Sequence, residues 1–200
     1  VIPANPDVII LADVATLTQP ETDALLDWLD KGGLLLRFAG PRLAASEISR
    51  SAEDALMPVR LREGGRDLGG AMSWGEAKTL APFAEGSPFH GLEVPADVTV
   101  SQQVLAQPDP DLSARTIAAL ADGTPLVTRK AVGAGQVVLF HVTANAEWSS
   151  LPLSGLFVQM LERLAVSTRP AQPETKDLAG QIWAPEKVMN AFGVEANAGQ

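Results

Sequence analysis

Two rhythms of apolar positions run along this chain. Asp7 to Leu11 (DVIIL) is a short, β-branched, apolar run. Such a run fits a strand buried on both faces, as in a parallel sheet. Thr18-Gln19-Pro20-Glu21 then matches a capping box, in which Thr18 and Glu21 each satisfy a backbone amide of the other. Leu25, Leu26 and Leu29 supply the apolar face of the helix that follows, and Gly32-Gly33 ends it. Leu34 to Phe38 (LLLRF) is a second apolar run, closed by Gly40-Pro41. Strand, helix and strand with short links predict a right-handed βαβ unit.

The pattern changes after Pro41. Residues 41 to about 54 read as helix. From about 55 to 112 the rhythm weakens, with Met57 to Leu61 and Val98 to Leu105 as candidate strands. Gly64-Gly65, Gly69-Gly70 and several prolines lie between them, so this stretch reads as an irregular, β-rich insertion. Regularity returns at Arg115 to Leu120, Leu126 to Lys130 and Val137 to Val142. Gly133-Ala134-Gly135 joins the last two as a β-hairpin. Val137 to Val142 is apolar on both faces and predicts a central strand. Pro152 fits the first turn of a helix whose core face is Leu153, Leu156, Phe157, Met160, Leu161 and Leu164. Residues 168–180 read as a polar connector with Pro170 and Pro173. A last short helix is expected from Pro185 to Phe192, with Gly193 as its stop. The expected organisation is one α/β domain over 1–167, then a connector and short helix over 168–200 packed on it. No internal repeat or low-complexity tract is visible.

Composition narrows the chemistry. The 200 residues are 46% hydrophobic, enough for one sizeable core. Fifteen Lys and Arg face 24 Asp and Glu, a net charge of −9. That balance disfavours nucleic acid and anionic lipid as partners. With no cysteine, the chain has no thiol nucleophile, disulfide or cysteine-ligated metal site. With only His90 and His141, well separated, no zinc spacing is present and no metal or cofactor is expected. No apolar run approaches the roughly 20 residues that span a bilayer. The first strand starts almost at once and no signal peptide precedes it, as expected of a piece of a longer protein.

No nucleophile elbow, Walker loop or dinucleotide fingerprint is present. Gly133-Ala134-Gly135 precedes a strand rather than a helix. His141 falls near the end of a predicted strand, followed by Asn145, Glu147 and Trp148. Ligands of open parallel sheets bind beyond the carboxyl ends of the strands. Asp13, Ala39 and Gly40, at the ends of the first two strands, can face the same crevice. His141 and Glu147 there would suit acid–base work. The alternative is a buried histidine satisfied by the backbone, with Trp148 plugging the sheet edge. Trp28 reads as core, whereas Trp74 and Trp183 fall in poorly patterned parts. Arg60, Arg62, Glu63 and Arg66 read as a solvated, mixed-charge turn.

Two segments carry a family resemblance. Asp7 to Gly40 (DVIILADVATLTQPETDALLDWLDKGGLLLRFAG) resembles the strand–helix–strand–Gly segment of class I glutamine amidotransferase-like domains. Gly123 to Leu161, and above all its WSSLPLSGLF string, resembles the hairpin and final helix of their non-catalytic relatives. Among these, the chain looks like the domain found in bacterial membrane proteins with a BatA-like double-transmembrane region and a DUF4159 region. The middle domain of some β-galactosidases is a more distant relative. The resemblance implies a flavodoxin-like, three-layer α/β domain with a mostly parallel sheet. Active members carry a cysteine on the turn after the strand, but here that turn reads Phe38-Ala39-Gly40-Pro41. They also carry a His-x-Glu pair, whereas Glu147 lies six residues beyond His141. The triad therefore does not carry over. The resemblance further implies a membrane-anchored parent, a periplasmic location for this portion with the cytoplasm as the alternative, and protein partners in or at the membrane.

Three functions remain in play on the sequence alone. One is a non-catalytic interaction or scaffolding module. Another is a small-molecule binding or sensing domain using Asp13, Ala39, Gly40, His141, Asn145 and Glu147. The last is a hydrolase built on His141.

Overall fold

A computed structural model describes residues 6–62, 71–167, 187–189 and 195–197, with backbone alone for 71–75, 167 and the last two stretches. The chain divides into two compact units, Val1–Arg169 and Pro170–Gln200.

The first unit opens with β1 (Val8–Ala12), α1 (Gln19–Leu29) and β2 (Leu34–Phe38). The start of α1 shows why this unit forms. The Glu21 carboxylate accepts hydrogen bonds at 2.8 Å from both the amide and the hydroxyl of Thr18, completing a capping box. Leu25, Trp28 and Leu29 bury one face of the helix, and Gly32 ends the turn beyond it at φ +100°. The Trp28 indole donates to the Pro6 carbonyl, so Trp28 is core, as its position implies.

The chain continues through α2 (Pro41–Ala45), β3 (Ala71–Thr79), β4 (Thr99–Val104) and α3 (Leu112–Arg115). It closes with β5 (Thr116–Ala119), β6 (Pro125–Val132), β7 (Gly135–Phe140) and α4 (Gly155–Ser167). The main sheet has the order β1-β2-β7-β6-β5. β1, β2 and β7 run parallel, and β6 is antiparallel to both of its neighbours. Four of the five strands therefore point the same way. β7 is central, as its two apolar faces require. β3 and β4 form a separate antiparallel pair within the insertion.

Alternation along the strands separates two apolar layers. Leu35 and Val137 are register partners and meet Leu25, Trp28 and Leu29 of α1. Phe38 and Phe140, on the opposite face, stack at 4.8 Å, and Phe157 of α4 packs edge-on against both. Leu156, Met160 and Leu164 complete the buried face of α4.

Several expectations need correction. β1 is not buried on both faces. It is an edge strand, and Ile10 is 54% exposed. α2 does not continue to about residue 54. Ser46 turns extended at ψ 162°, and its hydroxyl donates to the Leu43 carbonyl. This competition between side chain and backbone ends the helix. Beyond it the chain is held by side chains. Ser49 donates to the Val59 carbonyl, and the Arg50 guanidinium donates to the carbonyls of Ser46, Ala44 and Arg62. Met57 to Leu61 is buried but is not a strand. Its one ladder contact is an isolated bridge from Leu61 to Ala106. Pro152 lies in a 3-10 turn, Leu151–Leu153, and α4 starts only at Gly155. Leu153 therefore leaves the core face and is 78% exposed.

In the second unit, Lys187–Met189, inside the stretch where a helix was expected from Pro185 to Phe192, is a strand, β8, and pairs antiparallel with β9 (Glu195–Asn197). The rest of that expected helix and its stop at Gly193 lie outside the described residues. The connector at 168–180, Trp183, Gly64-Gly65, Gly69-Gly70, Glu63 and Arg66 lie outside the described residues, as does the side chain of Trp74.

Candidate functional site

The turn after β2 is the natural place to look, because β1, β2 and β7 all end nearby. Asp13 follows β1 in the left-handed region, at φ +53°. Asp tolerates that conformation because its short polar side chain bonds locally. Its amide donates to the Phe38 carbonyl at 3.0 Å. Its carboxylate accepts from the amides of Leu43 (2.9 Å) and Arg42 (3.1 Å), the first turn of α2. Asp13 thus satisfies helix amides that would otherwise point into the crevice.

Gly40 is required by the same contact. A Cβ at this position would lie 2.3 Å from Asp13 Cγ. Ala39 is buried, and its amide donates to the Phe140 carbonyl. Asp13, Ala39 and Gly40 therefore do come together, but as a closed joint. The turn offers no nucleophile, and Asp13 holds its helix amides.

The ring of His141 bonds elsewhere. It is fully enclosed just beyond β7. Nδ1 lies 2.8 Å from the Val104 carbonyl of β4, and Nε2 lies 3.0 Å from Thr128 Oγ1 of β6. A carbonyl only accepts, so Nδ1 carries the proton and Nε2 accepts from the Thr128 hydroxyl. Burial pulls the imidazole pKa down to about 4, against the opposing effect of the Val104 bond. Near neutral pH the ring is uncharged, with both nitrogens occupied.

Asn145 and Glu147 stand on an exposed turn. Asn145 Oδ1 accepts from the Glu147 amide, while Thr143 Oγ1 donates to the Asn145 carbonyl and accepts from the Trp148 amide. Trp148 is buried, and its carbonyl accepts from Ser101 and Gln102 of β4. The six residues singled out in the sequence are thus one joint, one core histidine and one surface turn. None of the six lines either of the two cavities described next.

Two cavities lie elsewhere. One, of about 510 Å3, is walled by Phe83, Pro108, Leu112, Ile117 and Pro125 beside β5. The other, of about 290 Å3, lies past the ends of β1 and β2 and includes Ala15, Thr16, Leu17, Thr22, Arg37 and Leu56. Arg37 is the residue that sequence reading passed over. The signal was present: a cation inside LLLRF, a run otherwise read as buried on both faces, has to be a buried cation. Among the described residues, no cluster of three or more His, Asp or Glu side chains converges to hold a metal ion.

No family model matches the chain, and no curated protein matches it. Solved structures do. A cytoplasmic protein of Salmonella typhimurium LT2 superposes with a TM-score of 0.60 at 12% identity, over 82% of this chain and 72% of that one. A second cytoplasmic protein of Salmonella typhimurium gives 0.59 at 14% identity, over 81% of this chain and 71% of that one. A β-galactosidase from Rahnella sp. R3 gives 0.54 at 14% identity, over 84% of this chain. The chain spans only 24% of that enzyme's length. At such identities the likeness is one of fold: a mixed α/β domain with a mostly parallel five-stranded sheet and a small antiparallel pair.

Proposed function

We propose that this chain is a non-catalytic interaction or scaffolding domain of the flavodoxin-like, class I glutamine amidotransferase-like type. Its parent would be a membrane-anchored bacterial envelope protein of the BatA-like, DUF4159-containing kind, with this domain on the periplasmic side and protein partners at the membrane. The observation that carries the non-catalytic reading is the joint after β2. Where an amidotransferase needs a thiolate, this turn places Ala39 and Gly40, and Asp13 fills the space above Gly40. An amide carbonyl would meet no nucleophile there. His141, the candidate base that the sequence offers, is neutral and has both nitrogens engaged. A residue in that state orders its surroundings rather than moving protons.

The test is ammonia release from glutamine and simple amides by the full chain, read beside a buffer blank and His141→Ala. No release above the blank is expected from either protein. Turnover by the wild type that disappears in the variant would overturn the reading.

A further inference from the structure

Arg37 occupies the fourth position of β2, a strand whose every residue is buried. Its two terminal nitrogens donate to the carbonyls of Leu56 (3.1 Å) and Val14 (2.5 Å). Those bonds explain how the side chain is held, but the carbonyls do not neutralise its charge. Among the described residues, none of the ion pairs includes Arg37. Burial lowers the guanidinium pKa below its usual value, and Asp54 acts in the opposite sense from a distance. One oxygen of the Asp54 carboxylate accepts from the Leu56 amide at 2.8 Å.

Arg37 is among the residues lining the 290 Å3 cavity, and the same cavity has Glu47 and Asp54 in its walls. Glu47 is exposed and Asp54 half-buried, whereas Arg37 is enclosed, so the positive charge lies deepest. Leu17, Ile48 and Leu56 line the cavity with apolar surface.

We propose that the cavity binds a small zwitterion with carboxylate and ammonium at opposite ends, of the ω-amino acid class. The carboxylate meets Arg37, whose planar fork keeps further N–H donors beyond the two already used. The ammonium faces Glu47 and Asp54, and the methylene stem lies along Leu17, Ile48 and Leu56. Charge decides the class. Two carboxylates beside one guanidinium disfavour a polyanion such as phosphate, and a simple carboxylate leaves both acids unanswered. An α-amino acid carries its two charges on one carbon, whereas here the cation is enclosed and the Glu47 carboxylate is exposed. This site is independent of the interaction reading above, because binding here needs no nucleophile and no protein partner.

The experiment is a thermal-melt titration of the full chain with 4-aminobutyrate, butyrate and inorganic phosphate. 4-Aminobutyrate is expected to raise the melting temperature saturably, with butyrate about tenfold weaker and phosphate without a saturable effect. Arg37→Met should abolish the 4-aminobutyrate response. If that variant does not fold, Glu47→Gln decides. Its residue is exposed, and the change should weaken 4-aminobutyrate several-fold while leaving butyrate unchanged. No saturable response in the wild type, equal affinity for butyrate, or an unaltered Glu47→Gln titration would overturn the proposal. None of these outcomes bears on ammonia release, so the two proposals fail separately.

Discussion

His141 shows what one side chain does when all its bonding capacity is used inside the protein. The ring joins three strands, β7 through its own backbone, β4 through the Val104 carbonyl and β6 through the Thr128 hydroxyl. The backbone repeats the link, since the Val104 amide donates to the His141 carbonyl at 3.0 Å. This bond ties the insertion to the main sheet. It also predicts a pH dependence. The folded pKa of about 4 lies below the ordinary value of 6.5, so the unfolded chain takes up the proton first. Above about pH 6.5 both states are neutral and the contribution is complete. As pH falls from there toward 4, stability is lost, by roughly 3 kcal/mol across the window for a shift of this size. Urea melts of the wild type and His141→Gln, compared at steps from pH 7 to pH 4, should show their stability difference shrinking through this range. Parallel curves would mean that His141 does not titrate as its surroundings imply.

At the scale of elements, α4 separates packing from mere periodicity. Its apolar spacing includes Leu153 as readily as Leu156, yet the 3-10 turn at Leu151–Leu153 rotates Leu153 into solvent. Leu156→Ala should cost roughly 2–5 kcal/mol, through lost transfer energy and a residual cavity. Phe157→Ala should fall in the same range, because its ring closes the Phe38–Phe140 stack. Leu153→Ala should stay within about 0.5 kcal/mol of wild type. Chemical denaturation of the three variants checks the contrast, and equal losses at 153 and 156 would contradict it. The same comparison shows what could be read in advance. The first strand–helix–strand unit was legible because its cap, apolar face and glycine stop are all local. The hairpin of β6 and β7 was legible for the same reason, with Gly133 at φ +58° in its turn. The stretch after Pro41 was not. Leu43 and Ala44 favour helix, but the stop comes from the Ser46 hydroxyl, and Met57 to Leu61 is held by partners such as Ser49 and Ala106. The partners of His141 lie 13 and 37 residues away. No window along the chain reveals whether such a histidine faces a crevice or the core. Arg37 is the opposite case: its burial follows from the run around it, but its cavity depends on two loops that only the fold brings over it.

For the whole molecule the governing quantity is charge. The net −9 opposes approach to an anionic lipid surface. Among the described residues, the large exposed apolar side chains, Ile10, Leu153, Val158 and Val166, sit on an edge strand, a turn and the outer side of one helix. Among the described residues, no helix is long and apolar enough to cross a membrane. On its net charge, the chain is expected to stay in the supernatant when spun with anionic vesicles at physiological salt. Salt makes the test sharper. Repulsion between like-charged surfaces is strongest at low ionic strength and is screened beyond about 10 Å at 0.1 M. Electrostatic exclusion thus predicts no binding at low salt and at most a slight rise at high salt. An inserted apolar surface would instead bind at every salt concentration. A basic patch hidden by the overall balance would bind best at low salt, the reverse of the expected order. Cosedimentation at low or physiological salt would overturn this reading, and with it the proposal that the parent's anchor, rather than this domain, holds the protein at the membrane.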